Sequence, residues 1–128
     1  MNDSMPQEQI KRTVLLVLWA ALICCVVIGS LLPAATPVMV AVGGLLVSAE
    51  VMHFSAYLAL SLLPVIGFRD RQKGIVVGLV MFVLGILLEV SQLFSPGRAV
   101  ELGDVITNGV GVGCGVPLAA QIRIRSRP

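Results

Sequence analysis

Long apolar runs separated by short polar connectors fill most of the chain. A helix needs about 20 predominantly apolar residues to cross the hydrocarbon core of a bilayer. Four runs reach roughly that length, and each is predicted to form a transmembrane helix. These spans are residues 13–32, 50–68, 74–94 and 103–122. The remaining apolar piece, residues 38–48, is too short to cross, so we expect an outer-surface or re-entrant segment there.

The first run follows Lys11 and Arg12, an arrangement that a secretory signal peptide would also have. A signal peptide, however, has an apolar core of only about 7–15 residues and a small-residue cleavage site. This run is longer, and Pro33-Ala34-Ala35 after it is a poor cleavage site, so it is interpreted as a retained span. The predicted organisation is a cytoplasmic tail over 1–12, one four-helix transmembrane domain over 13–122 and a basic cytoplasmic tail over 123–128.

The basic residues indicate how the helices are oriented. Of the nine Lys and Arg residues, all but Arg98 lie in the two tails or between the second and third spans. Four spans place these on one side of the membrane, and cytoplasmic segments carry the Lys/Arg excess. Both termini are therefore predicted to be cytoplasmic, with Arg98 outside. The residues on the basic side are Lys11, Arg12, Arg69, Arg71, Lys73, Arg123, Arg125 and Arg127.

Composition excludes several classes of protein. The chain has 128 residues, 57% of them hydrophobic and 12% charged, with a mean hydropathy of +0.99. A soluble domain has about 25% charged residues, and one this short could not hide so much apolar surface. A soluble enzyme, a disordered tail and a nucleic-acid binder are therefore excluded, and an all-α bundle of four transmembrane helices is predicted. Cys24, Cys25 and Cys114 lie inside apolar runs and are interpreted as packing residues.

Glycines four residues apart indicate close helix packing. Small residues at this spacing let helix backbones approach one another in lipid. The pairs are Gly74 and Gly78 in the third span, and Gly109 with Gly113 and Gly111 with Gly115 in the fourth. The fourth span is therefore expected to contact more than one neighbour.

Polar residues interrupt the apolar spans near the end predicted to face outward. Residues three or four apart share a helix face, which groups Glu50 with His53 and Tyr57, Glu89 with Gln92, and Asp104 with Asn108. With a rise of about 1.5 Å per residue, Glu89 lies roughly 7–8 Å inside its helix end. Ionisable groups at such depth cost a few kcal/mol and normally face the bundle interior. We therefore expect the last three spans to meet at this end and the first to be peripheral there.

Two of these groups have simpler explanations as well. Glu50 and Asp104 lie near helix ends, where Asp104 would suit a helix N-terminus as a cap. The turn Ser95-Pro96-Gly97-Arg98 would fold Arg98 back over the helix ends. Arg98 could there pair with Glu101 or Asp104, or hold the phosphate or carboxylate of a ligand.

The same residues resemble a known family. The stretch from Glu89 to Arg98, with Asp104, Asn108, Gly111 and Gly115 after it, resembles the E-x-x-Q-x-F-x-P-G-R…D-x-x-x-N-x-x-G-x-x-x-G stretch of VanZ-like membrane proteins. The upstream piece from Glu50 to Tyr57 is similar to a second family element, with Glu50 and Val51 in place of the usual Asp and Lys. The resemblance covers about residues 50–117. It implies a small multi-span protein of the bacterial inner membrane, in a family whose founding member is linked to teicoplanin resistance and which has no agreed enzymatic reaction.

Three functions remain open at this stage. The first is binding of an envelope lipid headgroup, a lipid-linked precursor or a lipoglycopeptide in an outer polar cleft. The second is a membrane-embedded hydrolase or transferase with His53 and Glu89 as base and acid and Arg98 on an anionic group. The third, a transporter, is disfavoured because four spans show no inverted repeat. The candidate ligand-binding residues are Glu50, His53, Tyr57, Glu89, Gln92, Arg98, Asp104 and Asn108.

No cofactor is predicted, and membrane lipids are the expected partners, with no nucleic acid. The sequence contains no metal motif. A divalent ion would find ligands in Glu50, His53, Glu89 and Asp104 only if the fold brought them together, and spacing alone does not establish that.

Overall fold

The computed structural model describes residues 4–45 and 47–125. Within these ranges every regular element is helical, and the helices are α1 (Ser4–Leu31), α2 (Pro37–Gly43), α3 (Ala49–Gly67), α4 (Arg71–Ser91) and α5 (Leu102–Arg125). A 3₁₀ turn, Gln92–Phe94, continues α4. Helices α1, α3, α4 and α5 are long and apolar enough to cross a membrane, which confirms the predicted all-α architecture with four spans.

Helix bounds differ from the predicted spans mainly at the start of α1. This helix begins at Ser4, nine residues before the first predicted span. The extra turns are polar, and Lys11 Nζ lies 3.3 Å from the Glu8 carboxylate one turn away. Hydropathy finds only the apolar part of a helix, so a polar extension of this kind is invisible to it.

Local sequence explains where α2, α3 and α4 begin. Ser48 caps α3 by accepting a hydrogen bond from the Val51 amide, and Asp70 caps α4 by accepting from the Gln72 and Lys73 amides. Proline occupies the first position of α2, where a missing N–H costs nothing. All but the first residue of this short helix lies within residues 38–48, the segment predicted not to span the membrane.

Helix α3 packs against α1, α4 and α5. The glycines of α4 and α5 make this close approach possible. A Cβ atom on Gly78 would lie 2.8 Å from the Ser61 carbonyl oxygen, and one on Gly111 would lie 2.7 Å from that of Phe54. Gly109 instead faces Phe82 of α4, so glycines of α5 contact two neighbours as predicted, while Gly113 has open space beside it.

Pro64 inside α3 leaves a backbone carbonyl without its usual helical partner. Proline has no N–H to donate to the carbonyl four residues earlier, which here belongs to Leu60. The indole N–H of Trp19 on α1 donates to that Leu60 oxygen at 2.9 Å. In a membrane interior a freed carbonyl needs such a partner, so this bond also attaches α1 to α3.

The bundle has two chemically different ends. At the first, which we call the basic end, Arg12 and Arg123 both donate to the Phe68 carbonyl at the end of α3. The described basic residues other than Arg98 lie at or near this end, and Arg127 lies outside the described residues. The opposite end, called the site end, holds the end of α1, the start of α3, the end of α4 and the start of α5.

Candidate functional site

The chain between α4 and α5 folds back onto the end of α1. Gly97 adopts a φ of 75°, the left-handed conformation that the predicted turn requires. The Pro96 carbonyl accepts from the Ala34 amide at 3.2 Å, and the Ser95 hydroxyl donates to the Leu31 carbonyl at 3.0 Å. These contacts fix the turn over the site end.

Arg98 attaches this turn to α1 rather than to the acidic residues around it. Its Nε donates to the Leu32 carbonyl at 3.3 Å, and its Nη2 donates to the Gly29 carbonyl at 2.7 Å. The last carbonyls of a helix have no intrahelical partner, which explains why they attract a guanidinium. Within the described part of the chain Arg98 forms no ion pair with Glu101 or Asp104, and its Nη1 group donates to no protein acceptor.

His53 is the centre of a polar cluster formed by α3, α4 and α5. Its Nδ1 lies 2.9 Å from Asn108 Oδ1 and 4.0 Å from Glu89 Oε1. Its Nε2 lies 3.6 Å from Asp104 Oδ2. The predicted meeting of the last three spans at this end is therefore confirmed. Asp104 lies in the first turn of α5, but its carboxylate faces the imidazole.

Glu89 and Asn108 lie deepest in this cluster. Glu89 is 2% exposed and Asn108 is 1% exposed. Glu89 Oε2 and Asn108 Nδ2 are fully buried and have no hydrogen-bond partner among the described residues. A buried carboxylate oxygen without a donor is energetically costly, which makes Glu89 a candidate for a role beyond packing.

A pocket of about 650 Å³ opens beside His53. Its walls come from α1, α2 and α3 and are mainly apolar, with Val26, Val38, Met39 and Met52 among them. The polar side chains gather on the part of the wall formed by α3 and by residues 92–104, which we call the floor. The floor residues are His53, Tyr57, Gln92, Arg98, Glu101 and Asp104.

The predicted candidates thus fall into three groups. His53, Tyr57, Gln92, Arg98 and Asp104 line the pocket. Glu89 and Asn108 are buried behind His53 and do not line the pocket. Glu50 is exposed at the start of α3 and belongs to neither the pocket nor the cluster.

The expectation that the first span is peripheral at this end is wrong. Cys25, Gly29 and Ser30 of α1 line the pocket, and the Gly29 carbonyl holds Arg98. Sequence reasoning missed these residues because they are apolar or small and carry no chemical signal. Met39 of α2 was missed for the same reason, although its sulfur lies 3.5 Å from Arg98 Nη2.

Three side chains in the cluster lie close enough together to be candidate metal ligands. One donor atom each from His53, Glu89 and Asp104 lies within 4.8 Å of the other two. Three of the four residues named from sequence as conditional ligands therefore do converge, and Glu50 does not.

Of three comparisons of the chain with known proteins, one finds a match. No curated protein and no solved structure matches the chain. The family model described as VanZ/LLP1 matches residues 4–123, which includes α1 to α4, all but the last two residues of α5, and every residue of the cluster and the pocket. The chain belongs to the VanZ/LLP1 family.

Proposed function

We propose that this protein binds the polar headgroup of an envelope lipid, or of a lipoglycopeptide, in the site-end pocket. The membrane is the bacterial cytoplasmic membrane, and the site end faces outward, as the distribution of basic residues predicts. The observation that carries the proposal is the amphipathic pocket itself. Its apolar walls suit an acyl chain or a hydrophobic tail, and its floor offers donors and acceptors to a headgroup.

The size and rigidity of the pocket support this function. Ligand sites in proteins typically enclose about 300–1,000 Å³, mostly apolar with a few placed polar groups. The volume here is about 650 Å³. Arg98 is already held by the Gly29 carbonyl of α1 and the Leu32 carbonyl just after it, so little side-chain entropy is lost when its free Nη1 group binds an acceptor. His53 is likewise fixed by Asn108.

A pair of glycine variants tests the proposal. Gly29 lines the pocket, and a Cβ on it would meet no atom within 4 Å, so Gly29→Leu should fill the pocket without disturbing the helix. Gly113 has the same open surroundings on α5 but does not line the pocket, so Gly113→Leu is the matched control. Native mass spectrometry of protein extracted from bacterial membranes should show bound lipid in the wild type and the control, and little in Gly29→Leu. Equal lipid retention by all three proteins would contradict the proposal.

A link to teicoplanin resistance follows from the family resemblance and is testable with the same variants. Expression of the wild type and of Gly113→Leu should raise the teicoplanin concentration that inhibits a susceptible host, whereas Gly29→Leu should not. If Gly29→Leu raises the inhibitory teicoplanin concentration as much as the wild type does, resistance does not depend on the pocket.

The second candidate, a membrane-embedded hydrolase or transferase, is favoured by one observation. The His53 imidazole lies at the pocket floor with a carboxylate 3.6 Å from one nitrogen and another 4.0 Å from the other. Such a group is suited to proton transfer. If a lipid bound to the wild-type protein is chemically changed, and the same lipid bound to His53→Gln is not, the enzyme is favoured over the binding protein.

A further inference from the structure

We propose that His53, Glu89 and Asp104 bind one divalent transition-metal ion at the floor of the pocket. Nitrogen and oxygen ligands lie about 2.0–2.2 Å from such an ion, so two of them can be separated by no more than about 4.4 Å. His53 Nε2 lies 3.6 Å from Asp104 Oδ2, and Glu89 Oε1 lies 4.0 Å from the other ring nitrogen, Nδ1. Taking one donor atom from each residue, all three atoms lie within 4.8 Å of one another. Shifts of a few tenths of an ångström would complete the site.

Asn108 holds His53 as residues around metal sites usually do. An amide oxygen can only accept, so the contact at 2.9 Å means that Nδ1–H donates to Asn108 Oδ1. In the neutral ring Nε2 then carries a lone pair, and it faces a carboxylate oxygen of Asp104. Two lone pairs facing each other are unfavourable unless a proton or a metal ion lies between them, and a metal ion is the occupant proposed here. A metal-binding imidazole typically donates its other N–H to an oxygen in this way.

A second and independent observation is the isolation of Glu89. Its carboxylate is 2% exposed, and Oε2 has no partner among the described residues. The arginine of the site, Arg98, donates to the Gly29 and Leu32 carbonyls and not to Glu89. Two carboxylates therefore share an apolar bundle with one imidazole, and a divalent ion would balance their charge.

The donor set selects the class of metal. Ca²⁺ and Mg²⁺ prefer oxygen ligands only, whereas one imidazole with two carboxylates suits Mn²⁺, Fe²⁺ or Zn²⁺. His53 and Asp104 also line the pocket, which gives the ion a path from solvent. The proposal does not depend on lipid binding, and it is tested without lipid as the readout.

The test uses full-length protein in detergent, carrying a tag without histidine. Mn²⁺ is the probe because Cys24 and Cys25 are exposed and thiolates favour softer ions. Loss of the electron paramagnetic resonance signal of free Mn²⁺ measures binding. We expect one saturable site in the wild type and none in Asp104→Asn or Glu89→Gln. Asn108→Ala should weaken the affinity roughly 10- to 100-fold.

The matched control is Glu101→Gln, which removes an exposed carboxylate from the same pocket but not from the cluster. Its Mn²⁺ affinity should stay within about twofold of the wild type. Circular dichroism and gel filtration establish that each variant is folded. Absence of saturable Mn²⁺ and Zn²⁺ binding by the wild type would overturn the proposal whatever the variants do, as would binding that Asp104→Asn retains.

Discussion

The variant Glu89→Gln distinguishes a structural role of this carboxylate from a functional one. A carboxylate that stabilises the fold should lower the free energy of unfolding when it is replaced, whereas one kept for function should raise it. Gln keeps the shape of the side chain and removes its charge. Glu89 is almost completely buried and Oε2 has no partner in the described part of the chain, so little hydrogen bonding is lost. Removal of an uncompensated buried charge often stabilises a protein.

The size of the effect can be worked out from two distances. An oxygen of Glu89 and one of Asp104 lie within 4.8 Å. At an effective dielectric constant of about 20, two negative charges at that distance repel by about 3 kcal/mol. With a neutral His53 and no metal, we expect Glu89→Gln to raise the free energy of unfolding by about 1–3 kcal/mol, since the introduced amide is itself partly desolvated. If His53 instead carried a positive charge 4.0 Å away, the lost attraction of about 4 kcal/mol would reverse the sign.

Unfolding in detergent, with a chelator present, measures this difference. Glu89→Gln should unfold at a higher temperature than the wild type, and Glu101→Gln should be unchanged because exposed substitutions usually have effects within about 0.5 kcal/mol. Addition of Mn²⁺ should stabilise the wild type and leave Glu89→Gln unaffected. The variant should also retain less lipid, because it removes the charge that lies 4.0 Å from the His53 imidazole at the pocket floor. Destabilisation of Glu89→Gln in the chelated protein, or unchanged stability with normal lipid retention, would refute this reasoning.

Three further predictions concern packing and topology. Trp19→Phe removes the donor to the Leu60 carbonyl and should cost about 1 kcal/mol of unfolding free energy, measured by denaturation in detergent. Gly111→Ala places a methyl group against backbone of α3 and should cost about 1–3 kcal/mol, whereas Gly113→Ala, with open space beside it, should be neutral or slightly stabilising. A single cysteine at Glu101, in a background without native cysteines, should react with an impermeant maleimide from outside the cell; reaction only from the cytoplasmic side would invert the topology.

The architecture could be predicted from sequence because the bilayer imposes a simple length rule. Apolar runs of the required length are visible directly, and the connectors alternate between basic and non-basic. The polar extension of α1 back to Ser4 could not be predicted in this way, because water and headgroups tolerate helical and extended chain alike.

The position of the site along the helices could also be predicted from the sequence, but the residues that form it could be predicted only in part. Helical spacing placed His53, Glu89 and Asn108 at one depth, and the structure brings them together. Sequence reasoning gave Glu50 and Asp104 the same alternative explanation as helix-end residues, but Glu50 is exposed at the start of α3 whereas Asp104 faces His53. Both are carboxylates near a helix end, and only the rotation of each helix against its neighbours decides which one faces inward.

The partner of Arg98 was unpredictable for a related reason. Charged side chains can be identified from the sequence, so Glu101 and Asp104 were obvious candidate partners. Free backbone carbonyls at the end of a helix far away in the sequence could not be identified in this way. The consequence for the site is considerable. Once α1 holds Arg98, the guanidinium serves as a fixed part of the pocket wall with one nitrogen left for a ligand.

The charges that remain at the pocket floor connect the two proposals. Asp104 and Glu101 line the pocket, and Arg98 alone opposes them. An anionic headgroup entering the metal-free pocket would meet two carboxylates, so its binding would be weak. A divalent ion held by His53, Glu89 and Asp104 would reverse that local charge and, with only three protein ligands, could accept a headgroup oxygen. Binding of the ion and of an anionic lipid should therefore be positively coupled, and by linkage each should raise the affinity of the other by the same factor. A zwitterionic or cationic headgroup would not require the ion, so the dependence of lipid retention on Mn²⁺ identifies the charge of the headgroup that the pocket is built to hold.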